Sequence, residues 1–266
     1  MRIVVPLKTV PDLVEEIELT ADETGIEREY LKFVLNEWDA QALEEALLLK
    51  DAGGAEVVAV GAADDPEIDQ TLYTALAKGA DAAVRLADAS AGSPGPAGTS
   101  VAARAALLAG YLEAEPADLV ITGVQAADDP DGQLPPTLAT LLDLPHVSVV
   151  VSVEAADGSV TVRQEFAAGL SHELQVQMPA VIGVQSARQV PRYAPITRIR
   201  QAMQTGGLTE RAVTPRAPRG GLVLRRMHRP ARSGRAEMLA GSPGDVAGQI
   251  VELLRARGLV KGRATP

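Results

Sequence analysis

Residues Asp118–Pro136 read DLVITGVQAADDPDGQLPP: a short β-branched run, a loop of turn-forming residues, and two prolines at the start of the next segment. The run DLVIT is apolar without alternation, the pattern of a strand buried on both faces of a parallel sheet. Arg2–Leu7 (RIVVPL) and Ala55–Val60 (AEVVAV) repeat it earlier in the chain. Helical stretches lie between these runs. Asn36 is placed to cap a helix with Glu37 and Asp39 in its first turn, in which Trp38, Ala42, Ala46 and Leu49 recur at three- and four-residue steps until Gly53. Pro66–Lys78 reads as a second helix closed by Gly79, and the turn-rich Ser90–Gly98 leads into a third over Thr99–Ala114. This alternation predicts an α/β fold, a doubly wound, mainly parallel sheet covered on both faces.

Beyond Leu134–Leu142 the pattern changes. His146–Val153 and Val160–Gln164, joined by Asp157-Gly158, predict a β-hairpin, and Leu174–Met178 and Val181–Val184 add strands around Pro179. Residues 186–235 lose clear periodicity. Pro243–Arg257 then carries Val246, Ile250, Val251 and Leu254 on one helical face, with Gly258 after it. The expected organisation is an α/β domain over 1–186, a loop and helix over 187–204, and an extended Arg-rich arm ending in a helix over 205–266.

A chain of 266 residues, 46% of them hydrophobic, can bury one sizeable core with appendages. It contains no cysteine, which excludes thiol catalysis, disulfides, iron–sulfur ligation and cysteine zinc sites. Any redox role must therefore use a bound cofactor. The opening MRIVVPLK is interrupted by Pro6 and Lys8, and no run of about 18 apolar residues occurs, so the expectation is a cytoplasmic protein without membrane insertion. Charge is unevenly spread: residues 1–186 hold 31 acids and 9 bases, residues 187–266 hold 4 acids and 16 bases. Arg211, Arg216, Arg219, Arg225, Arg226, Arg229, Arg232 and Arg235 suit an acidic protein surface or a nucleic acid. Nucleic acid is the weaker partner, because stacking aromatics are not interleaved and the acidic body would repel phosphates.

The loop Gly123–Pro136 offers backbone amides and a helix N-terminus to a phosphate, where open parallel sheets bind their ligands. An ordinary acidic turn accounts for it equally well. Asp128, Asp129 and Asp131 are hard-cation ligands by type, but the glutamate that completes a calcium loop is missing, and solvated turn acids explain them better. His146, His172 and His228 are scattered, with no G-x-S-x-G, G-x-x-x-x-G-K-[ST] or G-x-G-x-x-G run in a strand-to-helix context. No catalytic residue and no metal ligand is assigned, and the chain reads as a binder.

GVQAADDPDGQ resembles the nucleotide-phosphate loop of electron-transfer flavoprotein beta subunits. Further segments follow in the family's order: IVVPLKTVPD, LNEWDAQALEEALLLKD, TLYTALAKGAD, VTVRQEFAAGLSHELQVQMPAVIGVQ, PRYAPITRIRQAM and EMLAGSPGDVAGQIVELLRARGLV. The resemblance implies a Rossmann-like fold related to adenine-nucleotide alpha-hydrolases, paired in a heterodimer with an alpha subunit that supplies most of the FAD site. It implies an electron carrier without catalytic residues, working between flavin dehydrogenases and a quinone oxidoreductase or similar acceptor. An adenylate-chemistry enzyme on the same kind of fold is the alternative class.

Carried over by position, the adenine nucleotide is surrounded by Pro6 and Leu7, by Asn36, Glu37, Trp38 and Asp39, by Ala62, and by the loop. In the loop the positions are Gly123, Val124, Gln125, Ala126, Ala127, Asp128, Asp129, Pro130, Asp131, Gly132, Gln133 and Leu134. In most members that nucleotide is a structural AMP. Leu134 stands where AMP-binding members commonly carry Thr, which leaves the phosphate to remaining amides and Gln133. A branch of the family holds a second, bifurcating FAD in this pocket, and the Leu134-Pro135-Pro136 run is similar to that branch. AAGLSHE replaces the usual acid-Gly-Gly of the signature, while Arg163 and Glu165 keep their places. The resemblance pairs Glu165 with the partner's mobile flavin domain, and assigns Arg192, Tyr193, Ile196, Arg198 and Arg200 to redox-partner recognition.

Overall fold

The computed structural model describes residues 1–89, 100–216, 225–230, 236 and 238–260. It divides into two units, Met1–Arg226 and Met227–Pro266. The first unit begins with β1 (Arg2–Pro6), β2 (Thr9–Pro11), β3 (Phe33–Leu35), α1 (Glu37–Gly53), β4 (Glu56–Ala62), α2 (Ile68–Lys78) and β5 (Ala82–Asp88). It continues with α3 (Val101–Ala114), β6 (Leu119–Gly123), α4 (Leu134–Leu142), β7 (His146–Ala156), β8 (Ser159–Glu165), β9 (Ser171–Gln177), β10 (Ala180–Val184), α5 (Ile196–Thr205) and β11 (Leu208–Val213). The Ser90–Gly98 loop falls outside the described residues, as do Arg219, Arg232 and Arg235.

Nine strands form one sheet in the order β11-β5-β4-β1-β6-β10-β7-β8-β9. Pairing is parallel from β11 through β7 and antiparallel in β7-β8-β9, so the doubly wound, mainly parallel sheet with an added hairpin is observed. Strand alternation divides the core. Ile3, Val5, Val57, Ala59, Ile121 and Ile182 pack with α1 and α2, whereas Val4, Val58, Val60, Val120 and Val181 pack with α3 and α4. Both faces are covered, which is why these strands carry no polar alternation. The winding reverses between β1 and β6, the switch point beyond whose carboxyl ends such sheets bind ligands.

The helix predicted to stop at Gly53 includes it; Gly54, at φ 72°, closes α1 by donating its N–H to the Lys50 carbonyl. Strand β11 lies within the stretch that lacked periodicity. It pairs with β5 along Leu208–Val213, and the guanidinium of Arg85 bridges to Glu210. At Val149 the backbone turns to φ 64°, and the β7 register shifts against both β10 and β8. This is a β-bulge, and the Gln164 side-chain amide holds it by donating to the Ser148 carbonyl at 2.8 Å. In the second unit the described element is α6 (Pro243–Ala256), begun by a capping box between Ser242 and Asp245.

Candidate functional site

The carboxyl ends of β1 and β6 meet the start of α1 at a contact that only glycine permits. A Cβ on Gly123 would lie 2.5 Å from Asp39 Oδ1 and 2.8 Å from Trp38 Cβ. Asp39 is buried, and its Oδ2 accepts the Lys8 N–H at 3.0 Å, tying α1 to the chain leaving β1. Burial pushes its carboxyl up to about 6, while Lys8 and a hydrogen bond from Asn36 pull in the opposite direction. Asn36 does not cap α1 with its side chain, contrary to the sequence reading. Its Nδ2 instead reaches 3.0 Å to the Gln125 carbonyl, joining the helix start to the loop after β6. That choice leaves Asn36 Oδ1 buried without a hydrogen-bond partner, and Thr122 Oγ1, one residue before Gly123, is in the same condition.

The loop is folded on itself around Asp129. The backbones of Ala126 and Asp129 exchange hydrogen bonds at 3.1 and 3.0 Å, and Gly132 N–H donates to the Asp129 carbonyl at 3.1 Å. Gly132 sits at φ 64° with its Cβ position 2.4 Å from the Val124 carbonyl oxygen, so a side chain there is excluded twice. The Asp129 carboxylate turns inward and accepts the N–H groups of Gln133 at 3.0 Å and Leu134 at 3.3 Å. It thereby satisfies the first amides of α4, the very donors that sequence reasoning offered to a phosphate. The amides of Gln125, Ala127 and Asp128 have no hydrogen-bond partner among the described residues.

Asp128 forms an ion pair with Lys8, whose side chain is 9% exposed, while Asp131 is exposed. The three loop aspartates thus diverge, and no cluster of three metal-ligating side chains occurs among the described residues. Lys8, Ser100, Val101, Arg104, Asp128, Asp129 and Leu134 line a cleft of about 10 Å³, room for a single water. Lys8 and Arg104 were passed over in the sequence. A lysine two residues beyond a buried strand and an arginine in the first turn of the third helix were the available signals. The other expected positions lie at the carboxyl ends of β1 and β4 and at the start of α1, outside the lining of this cleft. Pro6 ends β1, Leu7 sends its side chain into the α1-side core, Ala62 ends β4, Glu37 is exposed, and Trp38 lies over Gly123.

The residues expected to face a redox partner lie elsewhere. Glu165 ends β8 and is exposed, beside Phe166, whose ring packs on His172 at 4.8 Å. Tyr193, Ile196, Arg198 and Arg200 are exposed in and before α5. Arg192 is turned inward, its guanidinium on Glu44 and on Asp51. The hydrogen bond to Glu44 is the main reason its pKa is raised.

Among known proteins, the family model for the electron transfer flavoprotein domain matches residues 24–215. The electron transfer flavoprotein subunit beta of Methylophilus methylotrophus is 30% identical over 266 residues, covering 96% of this chain and 98% of that protein. The caffeyl-CoA reductase-Etf complex subunit CarD of Acetobacterium woodii is 30% identical over 270 residues, covering 98% of this chain and 100% of that one. The subunit beta of Syntrophomonas wolfei is 35% identical over 194 residues, 73% of each chain.

Proposed function

The chain belongs to the electron transfer flavoprotein family as a beta subunit, and from that premise we propose that it works in a heterodimer as a carrier subunit, binding a structural AMP at the β1/β6 switch point. The observation that carries the nucleotide reading is a buried acceptor without a partner, Asn36 Oδ1, on a side chain bonded to a loop whose exposed amides at Ala127 and Asp128 bond to no protein group among the described residues. The buried Asn36 oxygen is an acceptor for an exocyclic amino group, and the amides of Ala127 and Asp128 are donors for a phosphate. Lys8 and Arg104 supply positive charge to the same cleft. These groups match a nucleoside monophosphate in chemistry, and the cleft, which holds about 10 Å³, has to open to admit one, with Asp128 parting from Lys8. The amides of Gln133 and Leu134 do not take part, since Asp129 holds them.

The flavin of the heterodimer supplies the redox chemistry. This chain's own residues shape the subunit that presents it. Glu165 is assigned to the partner's flavin domain, and Tyr193, Ile196, Arg198 and Arg200 to the electron donor. In α6, Ile250 and Val251 are exposed on the face they share with Val246 and Leu254, and that face packs on the alpha subunit. Electrons pass from a flavin dehydrogenase to a quinone oxidoreductase or similar acceptor. A second FAD in place of AMP is the other reading, favoured by Leu134, an apolar side chain on the cleft wall where a phosphate hydroxyl partner would stand. Among the described residues no helix is long and apolar enough to cross a membrane. Lys8→Ala in the purified heterodimer tests the assignment. The expected result is loss of the beta-subunit nucleotide with retention of the redox flavin, and full retention of both would remove Lys8 and this cleft from the site.

A further inference from the structure

Gln41, Glu44 and Glu45 lie at three- and four-residue spacing on α1, and each accepts a backbone N–H from the irregular segment between β10 and α5. Gln41 Oε1 accepts Ala187 at 3.0 Å, Glu45 Oε2 accepts Arg188 at 3.1 Å, and Glu44 Oε2 accepts Arg192 at 2.8 Å. The guanidinium groups close on the same carboxylates, Arg188 Nε on Glu45 Oε1 at 2.8 Å and Arg192 Nε on Glu44 Oε1 at 3.0 Å. Glu45 Oε1 also accepts the Val153 N–H of β7 at 2.8 Å, so one carboxylate ties the hairpin that carries Glu165 to the segment that leads into α5.

The two glutamate side chains are 0% and 3% exposed. Carboxylates kept out of water are tolerated when every lone pair is used, and apolar side chains would hold α1 to its neighbours at least as well. What apolar side chains cannot do is fix an irregular segment amide by amide. Val190, between the fastened points, is 88% exposed, and Tyr193 and Ile196, just beyond the last of them, are 80% and 61% exposed. Arg198 and Arg200, both exposed, follow in α5.

We propose that Glu44 and Glu45 are positioning residues for redox-partner docking: by fastening the segment at Arg188 and Arg192 they fix where Val190, Tyr193 and Ile196 stand before the flavin dehydrogenase arrives. The proposal rests on the carrier reading above. A segment already ordered in the free subunit has little conformational freedom left to lose on binding, so affinity is gained without further contacts. Arg192 is then a strut of the segment, not a steering charge.

The test uses the purified heterodimer and the flavin dehydrogenase that reduces it. Arg192→Ala, Arg192→Lys and Glu44→Gln are compared with wild type for KM and kcat of reduction over a range of ionic strength. Hydrogen exchange of residues 187–196 and bound flavin and nucleotide are followed in parallel. Arg192→Ala raises KM about tenfold with kcat changed less than about twofold, exchange over 187–193 rises, and bound cofactors are retained. The salt dependence of KM stays as in wild type, because the charge removed is already paired with Glu44 and Asp51. Arg192→Lys keeps the charge but loses the planar fork, and behaves as the Ala variant. Faster exchange with unchanged KM overturns the proposal, as does a KM change that disappears at high salt. Unchanged exchange in Arg192→Ala overturns it too. Arg192 is 31% exposed in its side chain, so its variants decide the matter even where Glu44→Gln does not assemble. A wild-type heterodimer without flavin that takes electrons from no dehydrogenase brings down the carrier reading and this proposal together.

Discussion

Replacing Asp39 with Asn removes a charge that the fold keeps out of water at the junction of β1, α1 and the loop after β6. The side chain belongs to a residue 5% exposed, and its carboxyl stands at about 6 where 3.8 is ordinary. Burial is the largest cause, opposed by Lys8 and by the hydrogen bonds from Asn36 and the Lys8 N–H. The folded state therefore holds this proton more tightly than the unfolded chain. Stability falls as pH rises from 3.8 through about 6, then stays at its lower level. A gap of about 2 pH units is worth about 3 kcal/mol at neutral pH. The amide keeps an oxygen for the Lys8 N–H and does not titrate. The stability difference between D39N and wild type should therefore grow by about 2 kcal/mol between about pH 4.5 and about pH 8, in favour of the variant. Urea midpoints of the two heterodimers, taken with the same partner subunit across that range, measure it. A difference that stays flat with pH would refute the assignment of a buried, costly carboxylate.

Gly132→Ala places a Cβ 2.4 Å from the Val124 carbonyl at a φ of 64°, and should lower stability by about 2 kcal/mol or more, read as a lower urea midpoint. Asp129→Asn leaves a single acceptor oxygen for the amides of Gln133 and Leu134 and weakens the dipole interaction at the start of α4. A loss of about 1 kcal/mol and faster hydrogen exchange at those two amides are expected. Ile196→Ala touches a side chain already 61% exposed, so the thermal midpoint should hold while reduction by the dehydrogenase slows and flavin content is unchanged.

The centre of the sheet was legible because β1, β4, β6 and β10 are covered on both faces and carry continuous apolar runs. β5 and β11 were not. β11 reads LTERAV and is exposed over most of its length at the sheet edge, so polar residues are tolerated there and no period marks it. The bulge at Val149 left no sequence signal either, since a β-branched residue is the last one expected at positive φ.

The switch point was legible in the sequence, and the wiring of the loop beyond it was not. A strand, a glycine and a turn-rich loop ahead of a helix located the switch point. Which amides remain open depended on Asp129 turning inward, and nothing local distinguishes it from Asp128 or Asp131. Asn36 had the residue type of an N-cap, but its side chain found a carbonyl 89 residues along the chain, a contact set by packing of Trp38 and Asp39 on Gly123. Arg192 read as a surface cation because its partners, Glu44 and Asp51, lie on a helix far earlier in the chain.

That a nucleotide binds at the cleft of Lys8 and Arg104 beside the Gly123–Leu134 loop is tested most directly by denaturing the heterodimer purified with its partner and identifying every nucleotide released. The expected result is AMP alongside FAD in equal amounts; FAD alone at one per heterodimer, with no second nucleotide, would contradict it.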